Sequence, residues 1–181
     1  MSFRIGYLVF PDITQLDLTG PQQVLSRLPG AEQVLMWKSR DPVRSESGLM
    51  LVPDVTYADC PPLDMICVPG GPGMNPLLTD AETIAFLQRM APKAKDVTAV
   101  CTGALVLGAA GLLKGKRAAT HWAAMEFLPK FGAIPVEERV VVDGNVITGG
   151  GVTAGIDFGL RVAAEVAGED IARMLQLIIE Y

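Results

Sequence analysis

The sequence predicts an α/β fold, with a mostly parallel β-sheet covered by helices on both faces. Three observations predict it. Short apolar runs, "FRIGYLVF" (3–10), "LDMICVPGG" (63–71) and "VTAVC" (97–101), lack a polar face and read as strands buried on both sides. Helix-like segments separate them, and such alternation is the signature of a parallel sheet. Apolar residues make up 50% of the 181 and charged residues 19%, which suits one domain with a sizeable core over residues 1–181.

The elements follow in order. After the first strand, "TGPQQVLSRL" (19–28) begins like a helix, because Thr19 can cap, Gln22 can close a capping box and Pro21 suits the first turn. "AEQVLMWK" (31–38) reads as a strand, and "PVRSESGLMLVPD" (42–54) as a hairpin turning near Ser47-Gly48. The strand 63–71 ends on two glycines, and "DAETIAFLQRMAPKA" (80–94) is a helix with Asp80 near its start. The strand 97–101 runs into a helix over 102–112. "KRAATHW" (116–122) reads as a short strand before the helix "AAMEFLPKFG" (123–132). "ERVVVDGNVITGG" (138–150) is a hairpin turning at Asp143-Gly144, and 153–168 and 169–180 are helices.

The stretch 97–113 holds no charge and grazes the length of a membrane span. It also contains Gly103, Gly108 and Gly111, and β-prone residues precede helix-prone ones, so a buried strand feeding a buried helix fits better. A net charge of −5 disfavours nucleic acid or an anionic membrane as the main partner. Three cysteines without paired spacing make no disulfide framework, and "MSFRIGYLVFPD" is no secretion signal, so a cytoplasmic location is expected. One histidine and scattered cysteines make a metal site improbable, and no cofactor is implied. "GGPGMNP" (70–76) fails as a dinucleotide fingerprint because Pro76 stands where the third glycine belongs. "GLLKGK" (111–116) fails as a phosphate loop because Arg117 follows Lys116.

In an open parallel sheet the site lies beyond the carboxyl ends of the strands. Cys101 is placed there, at a strand-to-helix corner, where helix N–H groups and the dipole are expected to lower a thiol pKa. Free cysteines are more often plain core, so the pattern alone leaves both roles of Cys101 open. Cys67 has apolar neighbours and reads as core, and Cys60 as a loop residue. Asp17, flanked by Leu16 and Leu18, has no capping task once Thr19 and Gln22 supply the cap. A carboxylate so placed should have a raised pKa and can act as an acid. Gly70 and Gly71 can offer backbone amides to developing charge or merely turn the chain, and Gly149–Gly151 can line the same pocket or merely start a helix. His121 can pair with the cysteine or play a structural part, and Trp122 and Val152 are pocket wall or core.

Four stretches, "LVFPDITQLDLTGPQQVL", "DMICVPGGPG", "VCTGALVLGAAGLLKGKRAATHW" and "GNVITGGGVTAGIDFGL", resemble the DJ-1/PfpI superfamily, and the resemblance spans essentially the whole chain. It implies a flavodoxin-like three-layer sandwich, a cysteine nucleophile elbow and a homodimer. Asp17 in "QLDLTGP", where DJ-1-like members carry glutamate, and Thr102 after the cysteine point to the branch that hydrates isocyanides. By that resemblance Cys101 is the nucleophile, Asp17 the acid/base and Thr102 a supporting polar group. Gly70, Gly71, Gly150, Val152, His121 and Trp122 are the expected surroundings of a small isocyanide substrate. Protease-like members carry histidine where Thr102 stands, so peptidase activity is not expected. Two alternatives are the ligand-sensing half of a transcription regulator and a DJ-1-like glyoxalase or stress protein.

Overall fold

Fully apolar strands must be covered on both faces, and the computed structural model, which describes residues 2–181, covers them. In chain order the elements are β1 (Phe3–Leu8), α1 (Gln15–Leu25), β2 (Ala31–Trp37), β3 (Val43–Arg44), β4 (Met50–Leu51), β5 (Val55–Thr56) and β6 (Met65–Val68). They continue with α2 (Ala81–Met90), β7 (Asp96–Val100), α3 (Gly103–Ala109), β8 (Arg117–Ala118), β9 (Ile134–Pro135), β10 (Val140–Asp143), β11 (Val146–Gly149), α4 (Ala154–Ala167) and α5 (Glu169–Ile178). Seven strands form the sheet in the order β10-β11-β7-β6-β1-β2-β5. Every pairing in it is parallel except β10 with β11.

From β1 the chain crosses to β2 on one side, whereas from β6 it crosses to β7 on the other. Right-handed crossovers therefore place α1 and α2 on opposite faces. α1 packs on α4 and α4 on α5, while α3 packs on α2 and on the 3₁₀ segment Trp122–Phe131. The result is a flavodoxin-like three-layer sandwich. The chain reverses direction across the sheet between β1 and β6, and such a switch point opens a crevice at the strands' carboxyl ends.

The uncharged stretch 97–113 resolves into β7 and the seven-residue helix α3, both buried. No helix among the described residues is long and apolar enough to cross a membrane. Asp80 caps α2 by accepting the Thr83 N–H at 2.9 Å.

Several boundaries differ from expectation. The first helix begins at Gln15 rather than Thr19, so Asp17 and Thr19 lie inside its opening turns. Thr19 does not cap; its hydroxyl donates to Gln15 Oε1 at 2.9 Å. Thr14 is the N-cap residue but provides no side-chain cap, because its hydroxyl is given to Glu46 instead. The strand expected over 116–122 keeps only two residues, β8, which pair with β9 outside the main sheet. Beyond Ala118 the chain bonds to the site: the Ala119 N–H donates to Thr148 Oγ1, and the Thr120 hydroxyl donates to the Cys101 carbonyl. The next helix, expected over 123–132, is 3₁₀ over Trp122–Phe131 and contains Pro129.

Candidate active site

Cys101 sits on the corner between β7 and α3 with a φ of 57°, a left-handed conformation rare for a side chain bearing a Cβ. Such strain costs about 1–3 kcal/mol and must be held from outside. Three hydrogen bonds hold it: the Cys101 N–H lies 3.1 Å from Gly149 O and 2.9 Å from Gly150 O, and its carbonyl accepts the Thr120 hydroxyl at 2.7 Å. Close packing seals the corner, since a Cβ on Gly103 would lie 2.0 Å from the Val68 carbonyl.

Asp17 reaches the same point from the first turn of α1. It is fully buried, and its Oδ2 accepts the Gly70 N–H at 3.1 Å. Its Oδ1 has no aligned donor, while the Cys101 thiol lies within hydrogen-bonding reach of the carboxyl. Burial pushes the Asp17 carboxyl up to about 6, against the Cys101 and Gly70 hydrogen bonds that favour its charge. The Thr102 hydroxyl accepts the Gly71 N–H at 3.0 Å and so fixes the loop after β6 against the corner. A Cβ on Gly70 would meet Thr102 N and Oγ1 at 2.6 Å and Asp17 Oδ2 at 2.9 Å, so only glycine allows these groups to converge.

The thiol differs from expectation. Burial, and then the negative charge of Asp17, push Cys101 up to about 12. The N–H groups of Thr102 and Val152 point at the sulfur and act the other way, but they do not prevail. With Cys101 only 4% exposed, desolvation outweighs the end of a short helix. The pair therefore titrates as a unit and holds one proton across the neutral range.

Cys101 opens on a cavity of about 690 Å³, also lined by Gly71, Thr102, His121 and Val152. Gly70 stands behind the cavity and contributes its N–H to Asp17. Gly150 lines a neighbouring groove rather than the cavity and supports Cys101 through its carbonyl. Trp122 is 81% exposed and belongs to that groove as well. His121 borders both, but its Nδ1 accepts the Ala123 N–H at 3.2 Å and caps the 3₁₀ segment, with no hydrogen bond to Cys101. Cys67 is fully buried in β6 and pushed up to about 12 by burial, and Cys60 is half-buried. Among the described residues no three His, Cys, Asp or Glu side chains are grouped as a metal would require.

Sequence reasoning missed Thr14 and Glu46 at the cavity and the apolar wall of Met74, Leu78, Leu105 and Phe127. These residues come from five separate segments, and although the hairpin and the helices around Leu105 and Phe127 carry local signals, nothing in the sequence links one segment to another.

A parallel sheet that presents a strained cysteine to a buried acid defines the class, and the chain belongs to the DJ-1/PfpI family, whose profile matches residues 4–165. An isonitrile hydratase from Pseudomonas putida is 57% identical over 181 residues, which cover all of this chain and 79% of that protein. The crystal structure of a ThiJ/PfpI family protein from Pseudomonas syringae superimposes with a TM-score of 0.97 at 47% identity, covering all of this chain and 76% of that one. A cysteine-to-alanine mutant of a DJ-1 superfamily protein from Salmonella typhimurium superimposes with a TM-score of 0.87 at 29% identity, over 99% of this chain and 98% of that one.

Proposed function

We propose that this protein is an isonitrile hydratase that converts isocyanides, R–NC, to N-substituted formamides. The observation that carries the reading is the pairing of Cys101 with the buried Asp17 at the floor of a largely apolar cavity. The 57% identity to the Pseudomonas putida isonitrile hydratase supports it.

In this mechanism the pair enters with one proton, on the thiol, and Asp17 ionised. As the sulfur attacks the terminal isocyanide carbon, its proton passes through Asp17 to that carbon. One S–C bond and one C–H bond form, giving a thioimidate, R–N=CH–S–Cys101. Water then adds to the thioimidate carbon, losing a proton to Asp17, while solvent protonates the nitrogen. Collapse of the adduct breaks the C–S bond as its hydroxyl gives its proton back to solvent, Asp17 passes the proton it took from water to the departing Cys101 sulfur, and R–NH–CHO is released. The sum is one isocyanide and one water consumed for each formamide. Gly70 holds the carboxyl in place, Thr102 holds the loop after β6, and the Thr102 and Val152 N–H groups receive the charge that grows on sulfur as its proton leaves.

The proposal includes one domain over residues 1–181, supported by a continuous core from β1 to α5, a homodimer, supported by the family resemblance, and a cytoplasmic location, supported by three free cysteines. Cys101→Ala should abolish hydration of p-nitrophenyl isocyanide, followed as formamide release. Wild-type turnover that persists in Cys101→Ala would overturn the reading.

A further inference from the structure

The mechanism leaves one charged group at the cavity unused. Glu46 lines the cavity from the β3–β4 hairpin, which stands outside the main sheet. Its carboxylate accepts the Thr14 hydroxyl at 2.5 Å, and its N–H donates to the Ile13 carbonyl at 3.1 Å. Two residues earlier, the Arg44 carbonyl accepts the Asp12 N–H at 2.8 Å. The hairpin is thus stitched to the segment 12–14 that leads into α1 and Asp17. Among the described residues no cation lies at ion-pair distance from Glu46. An exposed glutamate that draws a threonine's hydroxyl away from capping and meets no cation has little to do for stability alone.

We propose that Glu46 is the specificity and positioning residue of this site, a fixed negative wall that disfavours isocyanides with an anionic substituent and acts electrostatically on Asp17. The proposal rests on the hydratase reading. The groups facing Asp17 are Cys101 from the β7–α3 corner, Cys67 from β6 and Glu46 from the hairpin, and Glu46 raises the proton affinity of Asp17. Lys130 and His121, from the 3₁₀ segment, line the same cavity, and the Lys130 ammonium lies over the Phe127 ring at 4.6 Å. Glu46 is accordingly the carboxylate a charged substituent meets at the cavity surface, whereas Asp17 is sealed behind it.

The test separates this proposal from the hydratase reading by using a reaction of Cys101 that needs no hydration. Rates of Cys101 modification by iodoacetate and iodoacetamide, read by peptide mass, measure how the cavity treats an anion against its neutral twin. Glu46→Gln keeps an acceptor for Thr14 and removes the charge. It should raise the iodoacetate-to-iodoacetamide ratio by about two- to tenfold at low salt, with a smaller change at high salt. Glu46→Asp should return the ratio towards wild type. In hydration of a neutral isocyanide, Glu46→Gln should also move the acidic limb of kcat/KM to lower pH, and the same change should improve 4-isocyanobenzoate relative to phenyl isocyanide. An unchanged reagent ratio or an unmoved limb overturns the role given to Glu46. A wild-type protein that hydrates no isocyanide overturns the hydratase reading, and the reagent ratio still decides whether Glu46 is the negative wall.

Discussion

Replacing Asp17 with asparagine should make the protein more stable at neutral pH while crippling it as an enzyme. The carboxyl is fully buried and its proton affinity moves from 3.8 to about 6, with burial as the dominant cause. At roughly 1.4 kcal/mol per pH unit, holding Asp17 ionised in the fold costs about 3 kcal/mol. The sign follows from linkage. The folded state binds this proton more tightly than the unfolded chain, so the group disfavours folding increasingly as pH rises from 3.8 to about 6, and fully above that. An asparagine there cannot ionise, and its side-chain oxygen can still accept the Gly70 N–H. The variant should therefore exceed wild type by up to about 3 kcal/mol at pH 8 and match it near pH 4, where Asp17 is mostly protonated in the fold and the penalty is small. For a chain of this length that difference is a rise of about 6–12 °C in Tm at pH 8. Thermal unfolding of both proteins at the two pH values, followed by circular dichroism, measures it. The other carboxylates cancel in the comparison. A stability difference that is the same at pH 4 and pH 8, or a variant less stable than wild type at pH 8, would refute the account of Asp17 as a desolvated acid. Turnover in Asp17→Asn should fall about 10²–10⁴-fold.

Because the Cys101–Asp17 pair holds one proton between its two steps, kcat/KM for a neutral isocyanide should rise with pH through about 6 and stay level into the alkaline range; a rate that falls across pH 6 contradicts this. Gly70→Ala should reduce turnover at least tenfold with the fold retained by circular dichroism, because its Cβ would enter the space shared by Thr102 and Asp17. Thr102→Val leaves the Gly71 N–H without its acceptor at a cost of about 1–3 kcal/mol, whereas Thr102→Ser keeps the bond; urea unfolding should rank them so. Methylglyoxal offered beside p-nitrophenyl isocyanide should be turned over far more slowly than the isocyanide, and faster turnover of methylglyoxal would favour glyoxalase chemistry.

The sheet was legible because periodicity and apolar continuity are local properties. "FRIGYLVF", "MICV" and "VTAV" announce buried strands without knowledge of their neighbours. Asp17 was legible for a related reason, since it follows such a strand and has no capping task, whereas the pattern placed Cys101 at a strand-to-helix corner with a core role equally open, and the family resemblance singled it out. What stayed hidden depends on partners far along the chain. The α1 start was misplaced because Thr19 and Gln22 mimic a capped start, whereas the N-cap residue Thr14 gives its hydroxyl to Glu46, 32 residues away, and makes no side-chain cap. The strand around His121 was overextended because Ala119 and Thr120 bond to Thr148 and Cys101 rather than to a strand. The expected low thiol pKa was wrong because the helix end is visible in sequence, whereas the depth of burial and the facing carboxylate are not. The cavity walls gather Met74, Leu105 and Phe127 from different elements, and no spacing rule links them.

The central claim is a covalent bond between Cys101 and the isocyanide carbon, and mass spectrometry tests it most directly. Intact protein quenched in acid during turnover of p-nitrophenyl isocyanide should gain the mass of one isocyanide per chain. The gain should map to the peptide containing Cys101, disappear as substrate is exhausted and be absent from Cys101→Ala. Continued formamide release with no adduct on Cys101 at any quench time, or an adduct that is never consumed, would contradict the account.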